Sequence, residues 1–266
     1  MEPMPLKHWP LVLALLCSSA QAAEKPPLEQ GSYQVLRKQD HRVLWHASWT
    51  VRQEGIDTVV SEQGQGRYHG AATPVAWQAE LRVRTDDPAQ LRWSTRTVSS
   101  LGDSNVAWTV ERRYDPASRL LTTTMFRPLM HRSPRLYRWV IADALLTPDS
   151  LASVIRHRLA QQIQSFPCTL VTDEPALYRV TMVVRGEETI TVPAGTFRCW
   201  KVELVPRLGL MGWLGRAVIP KTYLWHTVQS PYYWIRYEGL ESGLRSAEVV
   251  MELSTFAPPI PPTPSS

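Results

Sequence analysis

The sequence predicts a mainly β fold: a single antiparallel, strongly curved sheet or open β-barrel, with one covering α-helix over about 148–164. Three observations predict it. Apolar residues recur at Tyr178, Val180, Met182 and Val184 with polar residues between most of them. That period of two sets successive side chains on opposite faces of a strand. Runs of the same kind recur from 33 to 126 at nearly even spacing, separated by turn residues; this is the pattern of a sandwich or barrel. One stretch, after Thr147, carries apolar residues at helical spacing instead.

Taken in order, strands are predicted over 33–37, 43–52, 58–68, 76–85, 91–99, 106–114 and 120–126. Asp40-His41, Glu54-Gly55, Asp86-Asp87-Pro88, Gly102-Asp103 and Asp115-Pro116 supply the turns between them. The pattern breaks at Arg127. Arg127, His131, Arg132, Arg135 and Arg138 follow with no acid among them, interleaved with Leu129, Met130, Leu136, Tyr137 and Trp139. Thr147-Pro148-Asp149 then reads as a helix start: a hydroxyl cap, proline at the first position and an acid in the first turn. Leu151, Val154, Ile155, Leu159 and Ile163 make one apolar stripe behind it. A strand from 178 turns at Val192-Pro193-Ala194-Gly195 and returns to 204. A second hairpin, 222–228 and 232–237, turns through Gln229-Ser230-Pro231, and a last strand spans 246–256.

The run 186–204, Gly-Glu-Glu-Thr-Ile-Thr-Val-Pro-Ala-Gly-Thr-Phe-Arg-Cys-Trp-Lys-Val-Glu-Leu, resembles the repeated motif of exported bacterial proteins catalogued as domain of unknown function 3108. Residues 232–239 and 249–253 fit the same pattern, so the resemblance spans about 178–256. It implies an exported protein built on a strand-turn-strand meander, and it implies no reactive site.

Residues 1–22 read as a cleavable signal peptide: Lys7 and His8, an apolar run from Leu11 to Leu16, and an Ala-Gln-Ala end. Cys17 raises lipidation, which Leu16 disfavours, and the expected address is the periplasm. Residues 23–257 are expected to form one β-rich domain, with 258–266 a disordered proline-rich tail. Losing the signal removes Glu2 and Lys7 together, so the net charge stays +5. A modest basic excess outside the cytoplasm argues against nucleic acid as a partner and suits anionic headgroups or simple solubility. Cys168 and Cys199 would then sit in an oxidising compartment, either as one disulfide or as two buried thiols.

No nucleophile elbow, zinc motif or phosphate loop is present, so no catalytic residue, metal or cofactor is expected. Ten tryptophans lie beyond residue 22, most of them in predicted strands. They serve either as core or as the lining of a cavity for an apolar ligand. The sequence reading is therefore a non-enzymatic periplasmic carrier or sensor of a hydrophobic or amphipathic envelope molecule. Trp200, Trp213, Trp225 and Trp234 are its candidate ligand contacts, and Arg127, Arg132, Arg135 and Arg138 its candidate headgroup contacts. Leu208, Leu210, Met211, Trp213 and Leu214 form a glycine-spaced apolar loop that fits a membrane surface or an envelope protein. An envelope scaffold and a hydrolase are the alternative readings.

Overall fold

A computed structural model describes residues 28–102, 105–207, 220–243 and 246–257. The predicted signal peptide, the 208–214 loop with Trp213, and the tail from 258 lie outside the described residues.

Fifteen strands form one sheet. The first eight are β1 (Glu29–Arg37), β2 (Val43–Glu54), β3 (Asp57–Gly66), β4 (Val75–Arg84), β5 (Leu91–Ser100), β6 (Val106–Asp115), β7 (Leu120–Arg127) and β8 (Arg132–Val140). After β9 (Ala144–Leu146) comes the helix α1 (Leu151–Ala160), then β10 (Ser165–Val171), β11 (Leu177–Val192), β12 (Gly195–Pro206), β13 (Thr222–Thr227), β14 (Trp234–Leu240) and β15 (Glu248–Ala257). The spatial order runs from β8 down to β1, then β15 down to β9. Each half is thus a meander of hairpins, and the β1–β15 pair joins the two halves. The ladder does not close, because β8 and β9 are its two edges.

One expectation needs correction, and one of the two alternatives for the cysteines drops out. The sheet is not wholly antiparallel, since β9 and β10 pair in parallel across α1; parallel neighbours need a crossover, and here the helix supplies it. The disulfide also fails. Cys168 and Cys199 are both free and buried. Cys168 lies opposite Val180 on β11, which lies opposite Pro206 on β12. Cys199 is therefore one strand further across and roughly 20 Å along the ladder, against the 4.4–6.8 Å between Cα atoms of a disulfide, order of magnitude. Burial pushes both thiols up to about 12.

Alternation fixes which face turns inward. On β2, Trp45, Ala47, Trp49 and Val51 are buried while His46 is exposed and Ser48 and Thr50 are half-buried. Trp77 on β4 lies across Gly64, where even a methyl group would sit 2.0 Å from the indole, so β3 needs a glycine there. The sheet rolls until its last strands lie over its earlier ones. Leu81, Val83, Leu91 and Leu121 of β4, β5 and β7 share one buried cluster with Ile141, Leu145 and Val171. At the opposite end the β11–β12 tip packs Val192 and Cys199 against Tyr33, Trp49, Val51 and Leu253.

The regular helix is about two turns shorter than the predicted 148–164: it begins at Leu151 and ends at Ala160, and Thr147 closes the turn before it. The Ser150 amide donates to Thr147 Oγ1 at 3.2 Å and the Thr147 amide donates to Ser150 Oγ at 2.9 Å, a reciprocal cap. Leu151, Val154, Ile155 and Leu159 are buried against Cys168, Val180, Met182, Val202, Leu204 and Leu224. Ten residues are too few for a stable isolated helix, and burial at roughly 1.5–3 kcal/mol per large apolar side chain holds it in place. Ile163 falls beyond the helix.

Candidate functional site

Rolling the sheet leaves a cavity of about 550 Å³ between its inner face, the start of α1 and the 172–177 loop. Its walls are largely apolar: Leu151, Leu170, Val180, Leu204, Trp234, Tyr237, Leu240, Val249 and Met251 all reach it. Arg179, Arg207 and Leu177, all solvent-exposed, border it.

The polar end is built from three separate connections. After β3 a short 3₁₀ turn, Tyr68–Gly70, carries Tyr68 and His69, with His69 in the left-handed region at φ 51°. Tyr68 stacks on Trp77 at 4.4 Å and on His69 at 3.9 Å, with Trp45 against it edge-on. Its hydroxyl donates to Asp173 Oδ2 at 2.6 Å. Glu241, just after β14, accepts at one oxygen from Trp45 Nε1 at 2.7 Å and from the His69 amide at 3.1 Å. Burial raises the Glu241 carboxyl above the usual carboxylate range. The same desolvation lowers His69, against the opposing pull of Asp173.

Behind this end lies a cluster of charges that water does not reach. Arg112 is fully buried and donates to Asp173 Oδ1 at 3.1 Å and to the Thr172 carbonyl at 2.9 Å. Arg96 binds Asp149, donates to Glu62 at 3.2 Å and lies 3.7 Å from Asp173. Burial alone would raise the Asp173 carboxyl, but Arg96 and Arg112 outweigh it and hold the group well below its ordinary range. Desolvation likewise works against charge on Arg96, but Asp149, Tyr68, Glu62 and Asp173 together outweigh it, so this guanidinium stays charged. Asp149, read in the sequence as a helix-start acid, thus also ties α1 to β5 and β6.

The candidate contacts divide accordingly. Trp234 reaches the cavity, with its Nε1 donating to the Arg236 carbonyl at 2.9 Å. Trp200 packs against the α1 cluster and Trp225 lies in the core beside Glu188, so neither lines it. Trp45 lines it instead. Arg127, Arg132 and Arg135 gather around a second hollow of about 300 Å³. Arg138 lies on the opposite face of β8 from Arg135 and Tyr137, because neighbouring strand residues alternate. Sequence reasoning missed Tyr68, His69, Asp173 and Glu241. They are 105 and 172 residues from their partners and no local spacing joins them. Among the described residues, no three His, Cys, Asp or Glu side chains converge to hold a metal.

No protein-family model matches the chain, and no curated protein matches it. The resemblance to domain of unknown function 3108 is therefore not upheld. Solved structures do match. One is a beta-barrel-like protein of domain of unknown function 1849 from Brucella abortus, with a TM-score of 0.57 and 7% identity over 89% of this chain and 99% of that one. A structure from Parabacteroides distasonis, provisionally described as a lipoprotein, gives 0.34 and 10% over 87% and 96%. An exported protein with a YmcC-like fold from Bacteroides fragilis, also described provisionally, gives 0.33 and 12% over 87% and 96%. At these identities the first shows a shared fold alone: mainly β, barrel-like and not closed.

Proposed function

We propose that this is a non-enzymatic, exported binding protein that carries or senses a hydrophobic or amphipathic molecule of the cell envelope. The observation that carries the reading is the apolar, partly open cavity of about 550 Å³ against the inner face of the rolled sheet. Its volume falls within the roughly 300–1,000 Å³ of small-molecule pockets, and apolar walls with a few converging polar groups are their usual construction. An acyl or ring portion would lie against Trp45, Trp234, Leu204 and Met251. A neutral polar group would meet Glu241 and His69 at the far end, where burial disfavours added charge.

The site's carboxylates favour binding over catalysis. Both oxygens of Asp173 already accept hydrogen bonds, from Arg112 and Tyr68. One oxygen of Glu241 accepts two more. Their pKa shifts are opposed, which can mark an acid–base pair, but ion pairing accounts for the Asp173 side.

Native mass spectrometry of the protein purified from its own cell envelope, followed by organic extraction, tests the reading. The expected result is a bound species of lipid-like mass released by solvent. A clean unliganded mass would move the weight to a scaffold role, and turnover of an ester or glycoside panel would move it to a hydrolase.

A further inference from the structure

The hairpin of β7 and β8 forms one edge of the sheet, away from the cavity, and its sequence and shape do not fit a merely soluble rim. The turn between the strands, Pro128–Met130, exposes Leu129 and Met130 at 47% and 54% of their surface, and Phe126 before it is also exposed. Further along β8, Leu136 and Val140 are exposed as well. Four arginines and one histidine lie in 127–138 with no acid among them. Arg127 is engaged by Glu174 at 2.8 Å. Arg132, Arg135 and Arg138 have no carboxylate within ion-pair distance among the described residues. Arg127, Arg132, Arg135 and Tyr137 surround the hollow of about 300 Å³ on the inner side.

Charges on an edge strand discourage strand addition, and that alone would explain scattered lysines and arginines. It does not explain bulky apolar side chains at the tip of the same hairpin. Exposed apolar residues at the turn, with Arg132 and Arg135 behind them on β8, match the depth profile of an anionic bilayer surface. There the phosphates lie outside the acyl region, and each Lys or Arg near them strengthens attachment.

We propose that the β7–β8 hairpin docks the protein on an anionic membrane surface. Leu129, Met130 and Phe126 enter the acyl boundary, and Arg132 and Arg135 contact lipid phosphates. The partner is the membrane itself, and this docking is independent of what the cavity holds.

The test is co-sedimentation of the full chain with phosphatidylcholine vesicles and with mixed phosphatidylcholine–phosphatidylglycerol vesicles, at low and high salt. The expected result is binding to the mixed vesicles only, weakened by salt. Arg132→Ala with Arg135→Ala should lower the affinity about 25-fold, near fivefold for each arginine. Leu129→Ser with Met130→Ser should lower it several-fold while leaving the salt dependence in place. All four positions are exposed, so circular dichroism should show the fold unchanged. Equal binding to both vesicle types would overturn the proposal. So would loss of binding in Trp213→Ala with Leu214→Ala but not in the hairpin variants, which would assign docking to the 208–214 loop. Full competition by millimolar inorganic phosphate would overturn it in favour of a free-anion site. A dimer in lipid-free sedimentation velocity, abolished by the hairpin variants, would assign this edge to a second copy.

Discussion

Two neighbouring regions of the interior are built on opposite terms. Between β5, β6, α1 and the 172–177 loop, four buried charges fill the space, and Arg96, Arg112, Asp149 and Asp173 pair with one another. On the other side of Tyr68 the wall turns apolar and the space is left open. Tyr68 belongs to both: its hydroxyl binds Asp173 while its ring stacks between Trp77 and His69. A buried charge is tolerated only when matched, so the cluster is closed to a ligand, whereas the apolar hollow has nothing to match and is free to take one.

The largest expected effect comes from breaking the closed side. Arg112→Met leaves Asp173 and Asp149 with half their compensation and should cost about 3–5 kcal/mol by urea denaturation. A loss under about 1 kcal/mol would mean that the cluster is wet and loosely held. Next comes Leu224→Ala, which empties a fully buried position under α1 and should cost about 2–5 kcal/mol. A cost as small as that of truncating a cavity-wall residue would erase the distinction between filled and open interior.

Acid sharpens the same contrast through buried histidine. Burial lowers His226 to about 3, while its Nδ1 donates to the Tyr232 carbonyl. In the unfolded chain the ring takes a proton near pH 6.5. Protonation therefore favours unfolding: the contribution is fully present above pH 6.5 and is lost as pH falls toward 3. Between pH 7 and 5 the loss from this residue should be roughly 2 kcal/mol. His69, lowered in the same direction, adds to it. Asp173, held down by its arginines, adds a further loss only below about pH 4. His226→Phe should flatten the pH 7 to 5 slope of stability, whatever it does to the absolute value. An unchanged slope would refute the buried neutral imidazole.

How much of this could be read in advance follows from the same physics. Strands with one buried face were legible: the alternation of Trp45, Ala47, Trp49 and Val51 on β2 sits in the sheet as read. β8 escaped because an edge strand has no single buried face, and Leu136 and Val140 point outward with Arg138. β10 escaped because Pro167 argues against a strand. It fits because the β9 ladder begins only at Cys168. The apolar character of the site was legible in its tryptophans, but not which of them line it: Trp45 and Trp234 do, Trp200 and Trp225 do not. Its polar end depends on chain crossings that bring Tyr68 to Asp173 and His69 to Glu241. No periodicity encodes such a meeting.

The central claim, that the open side takes a ligand, is tested most directly by titrating a fluorescent fatty-acid analogue into wild type and into Leu240→Trp. Leu240 lines the cavity, so the larger ring should obstruct part of it while changing stability by no more than about 1 kcal/mol. The wild type should bind saturably and the variant at least tenfold more weakly, with the unfolding midpoint preserved. Equal binding by the two proteins would place the ligand elsewhere and contradict the claim.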